Sequence, residues 1–445
     1  MAHILSGREP PVTPSSVIVL RRGDSGPAVA AVRERLLITG DLEPHHQRDL
    51  HPGHASDHAS DHASDHASSH ASDQAERNGS NGTAPRDVFD EHVERAVKSF
   101  QQRRGLIVDG LVGRSTYAVL DGARWTLGDR VLRFDPGQHV EGDDVAALQA
   151  RLLELGFRPG KVDGIHGPET DAALRSFQTA VGLTPDGTVG PETMRSFAAL
   201  RRSVSGGSAN ALREREHLRR SGFNLAGRTI VLDPGHGGAE TGAIGPQGMV
   251  EAELALELAR HVEGRLSAHG VNVVFTRTSG TGGSDEERAS FANSCNADLV
   301  LSLHTDHTES GSAHGVATFF YGHTDHGGWS TIGEHFADLL LREVVARTGL
   351  TDCRSHPRTW PLLRRTRMPA IRLDFGYLSH LGDRTALADP QTLDLIAESV
   401  VVALQRLYLG EADPSMTGVL RLDDLRRHLE AMREHQIGVG DRTGT

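Results

Sequence analysis

The chain has 445 residues, 37% of them hydrophobic, and a formal net charge of −12. That length accommodates two or three domains, and the acidic balance excludes a nonspecific nucleic-acid binder. Cys295 and Cys353 are the only cysteines, which excludes a disulfide framework and leaves buried free thiols. The opening MAHILSGREPPVTPSS has no basic stretch followed by a long apolar one, so no signal peptide is read. No run of about 18 apolar residues occurs, so no membrane span is expected. Both readings predict a cytoplasmic protein.

Along the chain, one pattern occurs twice. The first copy starts at AVAAVRERLLITGDL and, after an insert, resumes with FDEHVERAVKSFQQRRGLIVDGLVGRSTYAVL. The second contains VAALQARLLELGF and then GKVDGIHGPETDAALRSFQTAVGLTPDGTVGPETMRSF. Each has an apolar helix, a helix ending in Ser-Phe-Gln, then Gly-Leu-x-x-Asp-Gly-x-Val-Gly. The glycines follow the helices as C′ residues, and Thr116 and Thr193 stand where the next helix begins. Two three-helix units are predicted, over 16–122 and 130–200. Val145, Leu148, Leu152, Leu153, Leu174 and Phe177 form the core of the second. The insert in the first, 44–86, carries HASDHASDHASDHAS. A four-residue period would align its histidines on one helical stripe able to bind metal loosely. Ser and Asp are poor in helix interiors and no apolar face exists, so a disordered loop is expected instead.

A linker is predicted over 201–227, with Ser-Gly-Gly-Ser and a short charged helix. From 228 to 410 strands and helices alternate, which predicts an α/β domain whose central sheet is flanked by helices on both faces. The tail, 411–445, places Leu422, Leu425, Leu429 and Met432 at helical spacing. That stripe suits docking on its own domain or in a partner's groove. Thr417, and after it Ser415, are candidate phosphorylation sites just before the stripe.

Two strand ends carry candidate chemistry. VLDPGHGG brings His236 to the end of one apolar strand, and ADLVLSLHTD brings His304 to the end of another. Sites in α/β sheets gather beyond the carboxyl ends of strands, and zinc commonly takes two histidines and a carboxylate. Glu251, which opens the helix EAELALELARHVE, is a candidate third ligand, with Glu253 and Glu240 as competitors. Spacing alone does not choose among them, and a helix dipole also favours an acid in the first turn. A run over 354–367 holds Arg354, Arg358, Arg364, Arg365 and Arg367, suited to an anionic peptide, a nucleotide-linked precursor or a solvated surface.

The runs VDGIHGPET and PDGTVGPET resemble the peptidoglycan-binding domain family. The resemblance implies a glycan or stem-peptide groove near the Asp-Gly turns. Residues 228–405 resemble the zinc-dependent N-acetylmuramoyl-L-alanine amidases of the type-3 fold, through Asp-Pro-Gly-His-Gly-Gly, a Glu heading a helix, and a strand ending Ser-x-His. It implies that His236, Glu251 and His304 bind Zn2+. Arg277 in FTRT, the RASFAN helix and Ala297-Asp298 match further, and Arg277, Arg364 and Arg365 are expected to bind substrate. The implied reaction is hydrolysis of the amide between N-acetylmuramic acid and L-alanine in peptidoglycan or muramyl peptides. Where the family carries a catalytic Glu, LDFGYLSH places Asp374. Asp is one methylene shorter, and its alternative role is a cap or a pair with Arg372 or Arg384. The two repeats, the linker and Asp374 resemble the cytoplasmic CwlM-type branch of actinobacteria. That branch implies control of the enolpyruvyl transferase of precursor synthesis under a Ser/Thr kinase.

Overall fold

A computed structural model describes residues 19–43, 87–200, 209–220, 225–309, 311–323 and 328–408. The histidine-rich insert 44–86 and the tail with Ser415 and Thr417 lie outside the described residues. The chain forms two compact units, residues 1–101 with 108–124, and 102–107 with 125–445.

In the first unit, helices α1 (Pro27–Ile38), α2 (Glu91–Arg103) and α3 (Arg114–Gly122) enclose Val32, Leu36, Val93, Phe100 and Leu120. The buried Gln101 explains the repeated motif. Its Nε2 donates to Asp109 Oδ1 (2.7 Å), and Gly110 N donates back to its Oε1 (2.9 Å).

The second unit opens with β1 (Leu132–Arg133), α4 (Asp143–Glu154), α5 (Pro168–Ala180), β2 (Thr188–Val189) and α6 (Pro191–Ala199). Gln178 holds Asp186 and Gly187 as Gln101 holds its own turn. Gln149 does the same for Asp163 and Gly164. The Asp-Gly turns are thus hydrogen-bond partners of buried glutamines, which satisfies polar groups that burial would otherwise penalise. The charged helix expected in the linker is α7 (Ala209–Arg220).

Beyond it lie β3 (Thr229–Pro234), α8 (Glu251–Ala268), β4 (Asn272–Phe275), α9 (Asp285–Ser294), β5 (Leu299–Asp306) and β6 (Val316–Tyr321). Then follow α10 (Thr331–Thr348), β7 (Asp352–Arg358), α11 (Pro361–Arg365), β8 (Ala370–Tyr377), α12 (Leu381–Leu387) and α13 (Pro390–Tyr408). The strands form one sheet in the order β4-β3-β5-β8-β6-β7, with β6 and β7 opposed to the other four. As expected, helices cover both faces. Leu299, Leu301 and Leu303 of β5 pack toward α8, α10 and α13, while Val300 joins Ala292, Leu363 and Ala370 on the face of α9 and α11. This strict alternation puts Ser302 and His304 on the α9 face.

The arginine-rich run is regular secondary structure. It forms edge strand β7 and helix α11. Its polar, unalternating sequence hides the strand, and Pro357 is tolerated because β7 lies at an edge. No described helix is long and apolar enough to cross a membrane.

Candidate metal centre and active site

The strand β3 runs into Gly235-His236-Gly237-Gly238, and buried charge holds this turn in place. Asp233 accepts from Ser302 Oγ (2.6 Å), Thr276 Oγ1 (2.5 Å) and Arg288 Nη1 (2.7 Å). Burial would raise its pKa, but the Arg288 charge and these bonds hold it below the usual carboxylate range. Arg288 also donates to the carbonyls of Pro234 (2.9 Å) and His236 (2.6 Å). The His236 backbone sits at φ 57°, a conformation L-residues enter at a cost of about 1–2 kcal/mol; Arg288 grips its carbonyl there.

Two glycines make room. A Cβ on Gly235 would lie 2.2 Å from the His304 ring, and one on Gly242 would lie 2.6 Å from Glu251 Oε2. The permissive turn around His236 is therefore a demand for space as much as for backbone freedom.

Glu251, the first residue of α8, is only 3% exposed and resolves the choice among carboxylates. Its Oε1 lies 3.2 Å from His236 Nε2 and 2.9 Å from His304 Nδ1, and accepts from Thr305 N at 3.1 Å. Its Oε2 accepts from Ala243 N at 2.8 Å. Glu253 is exposed. Glu240 reaches the other nitrogen of His236, Nδ1, at 3.3 Å and so orients the ring. Burial alone would push Glu251 up, yet the two histidines hold it far below the usual range. The hydrogen bond to Glu251 raises His236, whereas burial and then Arg372 lower His304.

The ligand-type atoms of His236, Glu251 and His304 lie within 4.8 Å of one another. A tetrahedral zinc with bonds of about 2.1 Å holds its ligands roughly 3.4 Å apart. The donor set and its spacing fit such an ion.

The remaining candidate residues are engaged by groups of the protein itself. Arg277 is buried and donates to the carbonyls of Pro234 (2.7 Å), Gly235 (2.8 Å) and Ala252 (2.7 Å), so it braces the turn instead of reaching substrate. Arg364 donates to Asp163 O (2.6 Å) and Glu141 (3.1 Å), and Arg365 to Glu141 (2.6 Å). Both are committed to the second repeat, whose Val162 carbonyl also accepts from Tyr321 Oη (2.9 Å). That repeat's Asp-Gly turn therefore packs on the α/β domain. Asp374 stands beside His304 across β5 and β8, 4% exposed. The pairing alternative holds for it, since Arg372 donates to both oxygens at 2.5 and 3.0 Å. Arg384 instead donates to Leu378 O. Asp233, Ser302 and Arg288 carry roles that local sequence reading did not assign, although the RASFAN match contains Arg288.

Two histidines and a carboxylate converging at the carboxyl end of an α/β sheet can hold a metal ion of the kind that serves hydrolases. Residues 230–406 match the N-acetylmuramoyl-L-alanine amidase family, and 76–120 and 141–196 match a peptidoglycan binding domain. The chain is 44% identical over 423 residues to "N-acetylmuramoyl-L-alanine amidase CwlM" of Mycobacterium tuberculosis, covering 94% of this chain and 97% of that protein. It is 31% identical over 183 residues to "Probable cell wall amidase LytH" of Staphylococcus aureus, covering 41% of this chain and 58% of that one. The crystal structure of an N-acetylmuramoyl-L-alanine amidase from Clostridium difficile 630 aligns with 27% identity and a TM-score of 0.39, over 43% of this chain and 100% of that one. The chain belongs to the N-acetylmuramoyl-L-alanine amidase family.

Proposed function

We propose that this protein hydrolyses the amide between N-acetylmuramic acid and L-alanine in peptidoglycan or muramyl peptides, with zinc as its metal. The convergence of His236, Glu251 and His304 within 4.8 Å supports this reading best. Zinc bound there would polarise the scissile carbonyl and acidify a water. His236 and His304 supply neutral nitrogen ligands and Glu251 a charged oxygen, while Glu240 orients His236 from behind. Arg277 and Arg288 keep the turn carbonyls fixed, so the ligands are preorganised. Asp374, the cross-strand neighbour of His304, would take a proton from the attacking water and pass it to the leaving amine, once Arg372 releases one of its oxygens. Purified zinc-loaded protein incubated with muropeptides should yield separated glycan and stem peptide by mass spectrometry, and His236→Ala and His304→Ala should lose both zinc and product. Intact muropeptides after incubation with the zinc-loaded protein would reject the reading.

The Arg372–Asp374 pair favours a second reading, because it occupies the proton-accepting carboxylate. Here the amidase fold serves in the cytoplasm as a platform that regulates the enolpyruvyl transferase of precursor synthesis. A Ser/Thr kinase acts on the tail, with Thr417 as the first site. Calorimetry with unmodified, phosphorylated and tail-truncated protein tests it; equal affinity for the transferase in all three rejects it.

A further inference from the structure

Across the sheet from the metal-type cluster lies a group of side chains that neither the ligand set nor the turn scaffold uses. Arg372 on β8 is level with Phe319 on β6, which is level with His356 on β7. Trp360, at the N-cap of α11, packs on Phe319 with ring centroids 4.7 Å apart. The Arg372 guanidinium stands 4.7 Å from the Trp360 ring; that of Arg358 stands 5.9 Å from it and 5.4 Å from the Phe319 ring. Two cations therefore share one aromatic floor.

Charge and hydrogen bonding do not balance there. Arg372 commits Nε and Nη2 to Asp374. Arg358 donates from Nη1 to the carbonyl of its neighbour Pro357 (2.9 Å), and among the described residues it has no carboxylate within ion-pair distance. Burial lowers its pKa and the more distant Asp374 restores only part. Asp285 and Asp306 feel the charge of Arg372, but among the described residues neither forms an ion pair with either arginine. The Trp360 Nε1–H is buried and has no acceptor among the described residues. Arg358 is thus the cation of this group left without an ion-pair partner among the described residues, and a planar guanidinium fork matches a carboxylate.

Its position sets which part of a substrate it meets. His304 and Asp374 are cross-strand neighbours; Arg372 lies two residues back on β8, and Phe319 one strand further out. At about 4.8 Å per strand and about 3.3 Å per residue, the aromatic floor is roughly 12 Å from His304. An extended peptide covers about 3.3–3.6 Å per residue, so the gap spans three to four residues.

We infer that Arg358, Trp360 and Arg372 form a carboxylate subsite for the peptide side of the substrate, about three residues beyond the amide held at the metal centre. This rests on the amidase reading above. Arg358 acts there as a specificity determinant, and Arg372 divides its donors between Asp374 and the incoming anion.

Calorimetry on the full chain, with and without zinc, compares an N-acetylmuramoyl tripeptide ending in a free carboxylate with the same molecule as its terminal amide. Wild type is expected to bind the acid about 10-fold or more tightly than the amide, the value of one charge-assisted contact. Arg358→Gln should lose that preference while keeping its zinc content and melting temperature, and Arg358→Lys should keep part of it. Equal binding of acid and amide by wild type, or an unchanged preference in Arg358→Gln, overturns the subsite and leaves the amidase reading standing. Binding of neither molecule overturns both. A parallel titration uses inorganic pyrophosphate. If that is the only anion whose binding Arg358→Gln weakens, the pocket holds phosphate and the carboxylate assignment falls.

Discussion

Replacing Gly235 by alanine adds a single methyl group between the turn and the His304 imidazole. An ideal Cβ there would lie 2.2 Å from Cε1, 2.4 Å from Nδ1 and 2.6 Å from Nε2 of that ring. Ordinary contact begins near 3.4 Å, so the ring must retreat by roughly 1.2 Å. Gly235 is not among the residues with positive φ, so alanine brings no backbone strain and the effect is confined to the imidazole. Metal sites tolerate ligand displacements of about 0.2 Å. Zinc affinity should therefore fall by about 100-fold or more, with a folding cost of about 1–3 kcal/mol from overpacking. Competition against a fluorescent chelator gives the affinity, and thermal melting gives the stability. Gly264→Ala in α8 is the control, since a Cβ there meets nothing within 4 Å among the described residues. It should stabilise by up to about 1 kcal/mol and leave zinc untouched. A Gly235→Ala protein that binds zinc within about threefold of wild type would refute the argument that this glycine clears space for His304.

Buried charges elsewhere in the fold carry three further substitutions. Arg372→Met should free Asp374 and raise amidase turnover at saturating substrate while weakening substrate binding, whereas Asp374→Asn should abolish turnover and cost about 3 kcal/mol by stranding Arg372; unchanged turnover in Asp374→Asn would show that this carboxylate is not the proton acceptor. Lys161 donates to the carbonyls of Leu363 (2.6 Å) and Thr366 (3.2 Å), and burial pushes its pKa down to about 8 from 10.5. Between those values the unfolded chain holds more protons than the folded one, so stability should rise with pH from about 8 to about 10.5, with the cost of the buried ammonium fully present below pH 8. Lys161→Met should flatten that rise, and equal pH slopes for the two proteins in urea unfolding would contradict it.

The architecture was legible because burial imposes periodicity. The apolar runs of β3 and β5 and the amphipathic helices between them announce a covered sheet. The histidines were legible too, because a strand that ends in a histidine and a turn delivers it to the sheet's carboxyl edge. The buried Gln101 and Gln178 were visible as Ser-Phe-Gln, though their role as partners of the Asp-Gly turns was not.

Partners of long polar side chains were not legible. Three glutamates lie near the His236 turn, and only packing buries Glu251, exposes Glu253 and turns Glu240 to the far side of the ring. Arg277 closes on three carbonyls, and Arg364 and Arg365 reach Glu141 more than two hundred residues away, whereas the Arg372–Asp374 pair, two residues apart on one strand, was among the partners the sequence offered. The amino-acid sequence by itself determined the strands, the two histidines and the stock of charge, since periodicity and turn chemistry are local. Local pattern left the third ligand open among three glutamates and the family resemblance pointed to Glu251; tertiary structure alone decided which of the offered acceptors each arginine meets, because a flexible guanidinium takes whatever acceptor non-local packing brings within reach.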